Sequence, residues 1–323
     1  MTGVVAKRGG AIRAERPTLL PEAKGRWYRA PLLKPRGTRD RHDRLLPNDI
    51  CPCGTGKKFK RCHRDASAEE RRELGDAATL DHALASARPL LIDTGMPEWP
   101  LMRSGSCMLV TFRKDLWIVS TAHAFKNFQS TPDRARVPWN IGGGTLRPLR
   151  ITGEYVSPRD DSDDTVWSDF VVIRCAERAP RWWKLLDLDC ADLADLDHAT
   201  GRDWLRAFGF ANAMGNEVDC QAGRVVVSAC SFDGKYAGPT ESKRVHAIAL
   251  PSTGVVNDVN GMSGGPVFYT RQANEAWVFA GILVSGSAES KLLRVIDARA
   301  IRATLRAFYA RENDQLAPDA SQR

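Results

Sequence analysis

Hydrophobic and polar positions divide this chain into a patternless start, a short helix, a long run of short strands and a closing helix. Residues 1–46 sustain neither a period of two nor one of 3.6. Ser67-Ala68-Glu69-Glu70 has the spacing of a capping box and predicts a helix to about Ala87, tolerating Gly75. From Pro89 the pattern changes to short apolar runs broken by turn residues. Cys107–Phe112 and Leu116–Ser120 flank Arg113-Lys114-Asp115 and predict a hairpin. Thr145 to Val156 offers two more strands, and Phe170–Ile173 another. A second group follows at Trp204–Phe210, Arg224–Ser228, Arg244–Leu250, Val267–Tyr269 and Trp277–Val284. Asp297 then caps a helix with Ile301, Leu305, Phe308 and Tyr309 on one face, and the residues after Glu312 read as a frayed tail.

Composition narrows this picture. The chain has 323 residues, 43% of them hydrophobic, enough for a folded core. It contains no apolar run long enough to span a bilayer as a helix. Lys7 and Arg8 are followed by no apolar stretch, so no secretory signal is read and a cytoplasmic location is expected. Of the eight cysteines, three cluster at Cys51, Cys53 and Cys62. The other five are scattered, and an odd number cannot all pair. That favours reduced thiols. The net charge of +8 resides in residues 1–46, whose twelve Lys and Arg outnumber four acids by the whole excess. This Pro-rich basic arm reads as disordered. It suits an anionic partner such as ribosome or nucleic acid, with Trp27 and Tyr28 placed to stack on bases; a solvated tail is the plain alternative.

The chemistry concentrates in Asn260-Gly261-Met262-Ser263-Gly264-Gly265-Pro266. Glycines around a serine let the backbone turn tightly and aim two N–H groups at one point. A serine hydroxyl is a weak nucleophile without a base and an oxyanion site. The chain supplies His123 at the end of the run Trp117–Ala122, and Asp169 at the start of Phe170–Ile173. Asp169 is preferred to Asp163 or Asp164 because an apolar strand follows it. The acidic run Asp160, Asp161, Asp163 and Asp164 lacks the spacing of a calcium loop and reads as solvated.

Thr121-Ala122-His123, Ser168-Asp169-Phe170 and Gly261–Pro266 occur in that order across roughly residues 91–310. In this the chain resembles the chymotrypsin-like serine peptidases. The resemblance implies an all-β fold of two antiparallel Greek-key barrels with the site between them and a C-terminal helix packed on the second barrel. It implies a Ser263–His123–Asp169 triad, an oxyanion hole from the N–H groups of Gly261 and Ser263, and a side-chain pocket with Asn257 near its base and Val284, Ser285 and Gly286 as its wall. A neutral base predicts a polar or small residue at the cleaved position. Two departures stand out. Ala124 replaces the cysteine that follows the histidine in secreted members. Met262 replaces the Asp that, in vertebrate trypsins, pairs with a freed N-terminus, so that activation route is closed.

Asn48 to Arg64 resembles a second family, the SEC-C motif, with Cys51, Cys53, Cys62 and His63 as its four ligand positions. Two close pairs around a Gly-rich loop suit one tetrahedral zinc ion, and metal would supply the folding energy of so short a segment. All four positions are protein groups, so the zinc is structural and catalysis needs no cofactor. The domain reading is a basic arm at 1–46, a zinc module at 47–66, a linker helix at 67–88, a peptidase domain at 89–312 and a tail at 313–323. The expected function is a cytoplasmic bacterial serine endopeptidase acting on protein or peptide, steered by its zinc module, with a stress or defence role in view and no membrane partner. The alternative is an inert protease-fold adaptor that binds ribosome, nucleic acid or a protein.

Overall fold

The computed structural model describes strand β1 (Ala11–Arg13) and residues 85–316, except 127–129, 140–143, 146, 159–165, 181–182, 184, 213–216, 220–223, 252–258, 271–276 and 288. The four expected zinc ligands, the acidic run, Asn257, the linker helix up to residue 84 and the end of the tail therefore lie outside the described residues.

Two six-stranded antiparallel sheets form the body. The first contains β2 (Ala87–Asp93), β3 (Leu101–Phe112), β4 (Asp115–Thr121), β5 (Ala135–Arg136), β7 (Ile151–Val156) and β8 (Phe170–Cys175), after which β9 (Leu186–Asp187) pairs with β3. Its order is β5-β2-β3-β4-β8-β7. The sheet is curled rather than closed, although rungs such as Leu149 N–H to Val137 O, 2.8 Å, draw its two ends together. The expected hairpin is present. Arg113 and Lys114 form its turn at φ 50° and 70°, the left-handed pair that matches the twist of the flanking strands.

The second sheet is a closed barrel. It contains β10 (Trp204–Gly209), β13 (Cys230–Pro239), β14 (Val245–Ala249), β15 (Pro266–Thr270), β16 (Val278–Ser287) and β17 (Leu292–Asp297). Here the strand assignments need correction. Strand β12 (Arg224–Val226) lies outside the barrel, in a small sheet with β11 (Glu217–Asp219), β1 and β6 (Gly144–Thr145). So three residues of the arm expected to be disordered are a strand. Conversely, Cys230–Pro239 is a barrel strand although Asp233, Gly234 and Gly238 interrupt any apolar pattern. At Gly234 a Cβ would collide with Ile248 of the neighbouring strand, so the glycine allows the two backbones to close up.

Period two explains why the central strands read as unbroken apolar runs: both faces are buried. Leu116 and Ile118 of β4 face the interior of the first sheet, with Val171 and Ile173 of β8. Trp117 and Val119 face the other way, with Phe170 and Val172, against Phe208, Phe268 and Phe279 of the barrel. The helix following β17, Ala298–Leu316, shares this seam through Ile301, Leu305 and Tyr309. It packs on the barrel as expected and also reaches across to the first sheet. Arg174 of β8 bonds Asp115 at 2.6 Å and Glu312 at 2.9 Å, and lies over the rings of Trp117, Phe308 and Tyr309.

Candidate active site

The antiparallel pairing of β4 with β8 sets Thr121 opposite Phe170. One step further, the Ala122 N–H donates to the Asp169 carbonyl at 3.3 Å. The chain then bends into a single helical turn, His123–Lys126. This brings the Asp169 carboxylate against His123 at two points. Oδ1 accepts the His123 backbone N–H at 2.8 Å, and Oδ2 lies 2.5 Å from the ring Nδ1. An ionised carboxylate only accepts, so Nδ1 carries the proton and Nε2 is left as the acceptor. The Asp169 side chain is 17% exposed and that of His123 35%, so the ring is held yet remains accessible.

Ser263 comes from the barrel, in the turn before β15. Gly261 and Gly264 flank it at φ 88° and 90°. A Cβ on Gly264 would strike the Ser106 carbonyl oxygen, and one on Gly265 that of Phe208, so neither glycine is replaceable here. Met262 is fully buried in the barrel interior, with its sulfur 3.8 Å from Cys230 Sγ. Burial pushes the Cys230 thiol up to about 11, far from the thiolate that reactive cysteines require.

His123, Asp169 and Ser263 line one cavity of about 430 Å³ between the two sheets, together with Val284, Ser285 and Gly286. Val259, Asn260 and Leu283 also line it among the described residues; Asn260 opens the serine motif, whereas no motif singled out Val259 or Leu283. The Ser263 hydroxyl donates to the Val284 carbonyl at 2.9 Å, and no hydrogen bond joins it to His123 among the described residues. In the turn, the N–H groups of Met262, Gly264 and Gly265 donate to Val259, Leu283 and Met262. Those of Gly261 and Ser263 have no acceptor among the described residues. Sequence reading missed Ser106. It is fully buried on β3 and ties the two sheets beneath Ser263, but it lies in an ordinary strand with no motif around it.

The fold and site thus define a mostly β protein with serine, histidine and aspartate gathered in a cleft between two antiparallel sheets. The SEC-C motif family model matches residues 48–65. No curated protein matches the chain. Among solved structures, an inactivated protease paralogue of the scabies mite, S-I1, is similar at 11% identity and a TM-score of 0.45, over 70% of this chain and 96% of that one. No helix among the described residues is long and apolar enough to cross a membrane.

Proposed function

We propose that this chain is a serine endopeptidase. One observation carries the reading. Asp169 fixes the His123 ring through Nδ1 in the same cavity that Ser263 lines, and the Gly261 and Ser263 amides of the serine turn have no acceptor among the described residues. Those are the four parts that acyl transfer requires: nucleophile, base, orienting acid and oxyanion donors.

In this mechanism the Ser263 side chain rotates from the Val284 carbonyl towards His123. Its oxygen attacks the peptide carbonyl carbon while its proton passes to Nε2. The negative charge on the carbonyl oxygen is met by the N–H groups of Gly261 and Ser263. Collapse breaks the C–N bond, and the imidazolium gives its proton to the leaving amine. Water then attacks the acyl-enzyme by the same route in reverse. Asp169 stabilises the imidazolium throughout. Among the described lining residues, only His123 and Asp169 are titratable. That supports a small or polar side chain at the cleaved position, because both Asp169 oxygens are engaged by His123 and a buried substrate cation would find no other carboxylate among the described lining residues.

The SEC-C match at residues 48–65 supports the zinc module. Cys51, Cys53, Cys62 and His63 supply three thiolates and one imidazole, a donor set suited to tetrahedral zinc. With every ligand position filled by protein, the metal would hold the module's fold and take no part in hydrolysis. The module and basic arm would direct the peptidase to a protein, ribosome or nucleic-acid partner in a bacterial cytoplasm.

The test is labelling with a fluorophosphonate, which needs an activated serine but no particular peptide. The expected result is labelling of the wild type and none of Ser263→Ala. Absence of labelling in both, together with salt-sensitive co-sedimentation with ribosomes, would replace the peptidase with an inert adaptor.

A further inference from the structure

Four successive carbonyls run through the serine turn, and each has a donor. Asn260 O accepts from Asn212 N–H at 2.7 Å, and Met262 O from Gly265 N–H at 2.9 Å. Gly261 O accepts from the Ser106 hydroxyl at 2.7 Å, and Ser263 O from the Ser106 N–H at 2.9 Å. The peptide bonds here are trans, so each N–H points opposite the carbonyl of the preceding residue. Pinning Asn260 O and Met262 O therefore aims the Gly261 and Ser263 N–H groups the other way, the two amides that lack acceptors among the described residues. Pinning Gly261 O fixes the plane between them.

Ser106 supplies two of these four donors, and it belongs to the other sheet. It is fully buried. Its hydroxyl also accepts the Phe210 N–H at 2.9 Å, and its carbonyl accepts the Ser120 hydroxyl at 2.8 Å. Arg103, on the same strand, donates to the Phe210 carbonyl at 2.6 Å. Phe210 lies two residues before Asn212, whose amide holds Asn260. Strand β3 thus clamps the oxyanion-binding turn directly at Gly261 and Ser263, and indirectly through residues 210–212.

We propose that Ser106 is a positioning residue that keeps the Gly261 and Ser263 amides aimed at the reacting oxygen, so that docking of the first sheet, not a new N-terminus, sets the oxyanion site. This rests on the serine-hydrolase reading above. A turn pinned at all four carbonyls needs no reorganisation when charge develops, which is where most of the benefit of such donors lies. Ser106→Ala removes the hydroxyl but keeps the N–H to Ser263, so the middle plane keeps only the Met262 N–H bond to Val259 O at 3.1 Å, and the Phe210 N–H loses its acceptor, which loosens the hold of residues 210–212 on Asn260 and so on the Gly261 amide.

The experiment is fluorophosphonate labelling of the full-length protein at varied probe concentration, which separates the maximal rate from the half-saturating concentration. Ser106→Ala is expected to lower the maximal rate about 10- to 100-fold and to leave the half-saturating concentration unchanged. Tyr309→Phe, which removes a buried hydroxyl bonded to Asp115 at the helix, is expected to lower Tm with no change in rate. The proposal is overturned if Ser106→Ala labels at the wild-type maximal rate. It is also overturned if rate and half-saturation worsen together in step with Tm, as a general loss of structure would cause. Wild-type protein that shows no Ser263-dependent labelling would remove the hydrolase reading itself, and this inference with it.

Discussion

Asp169 grips His123 twice, with one oxygen on the backbone N–H at 2.8 Å and the other 2.5 Å from the ring Nδ1. The backbone contact fixes which oxygen faces the ring. The carboxylate cannot turn away without abandoning a backbone donor.

That double contact makes Asp169→Asn a sharp test. The His123 N–H needs an acceptor, so asparagine would place its Oδ1 there and its NH₂ group against Nδ1. Nδ1 would become the acceptor, the ring proton would move to Nε2, and the base would be lost. Steady-state hydrolysis of an activated ester should fall roughly 10⁴-fold while the melting temperature changes little. A loss below tenfold would count against the assigned role.

Arg174 joins the helix to the first sheet. It bonds Asp115, Glu154 and Glu312 and lies over three aromatic rings. Its surroundings hold its pKa above the usual arginine value: burial works against the charge, and the Asp115 and Glu154 contacts outweigh it. Arg174→Met should destabilise the protein by about 2–3 kcal/mol, the scale of charge-assisted bonds lost from a partly buried site. Hydrogen exchange should rise selectively over the helix at Ala298–Leu316.

Stability should also depend on pH through His246. It is 2% exposed, and burial lowers its pKa below the ordinary histidine value, with Asp297 and Asp197 opposing the shift and Arg299 adding to it. The Tyr236 hydroxyl lies 3.0 Å from its Nδ1. Below the unfolded value of roughly 6.5, the unfolded chain binds this proton and the folded chain resists it. The contribution is therefore absent above that pH and becomes an increasing penalty as pH falls towards the folded value. Thermal melts between pH 7.5 and 5 should show a shallower loss of Tm in His246→Gln than in wild type; equal slopes would place the acid sensitivity elsewhere.

Protein purified without chelator should carry about one zinc per chain, the content of a single four-ligand site. Elemental analysis of Cys51→Ser and Cys62→Ser should find that content lost. Fluorophosphonate labelling of both variants should persist, because the proposed metal takes no part in the chemistry. Zinc retained after loss of either cysteine would shift the ligand set.

The residue types of the site were legible because their chemistry is local. Gly-Met-Ser-Gly-Gly must turn where it stands, since side chains at Gly264 and Gly265 would strike neighbouring carbonyls. The apolar runs around His123 and Asp169 must be strands buried on both faces, and β4 and β8 are. The barrel was less legible. Cys230–Pro239 lacks an apolar pattern because Gly234 serves close backbone approach, and Arg224–Val226 has the composition of a core strand but pairs outside the barrel.

The sequence by itself determined which groups were available and which segments extend or turn, because rotamers, glycine sterics and hydrophobic period act over a few residues. Only the tertiary structure decided how those groups face one another. The register of β4 on β8 puts Asp169 against His123, and Ser106 meets Gly261 across a separation of 155 positions. Such contacts run largely through backbone amides and carbonyls, which every residue carries, so no side-chain pattern announces them. They form when two sheets bury their facing aromatic side chains and fix the seam.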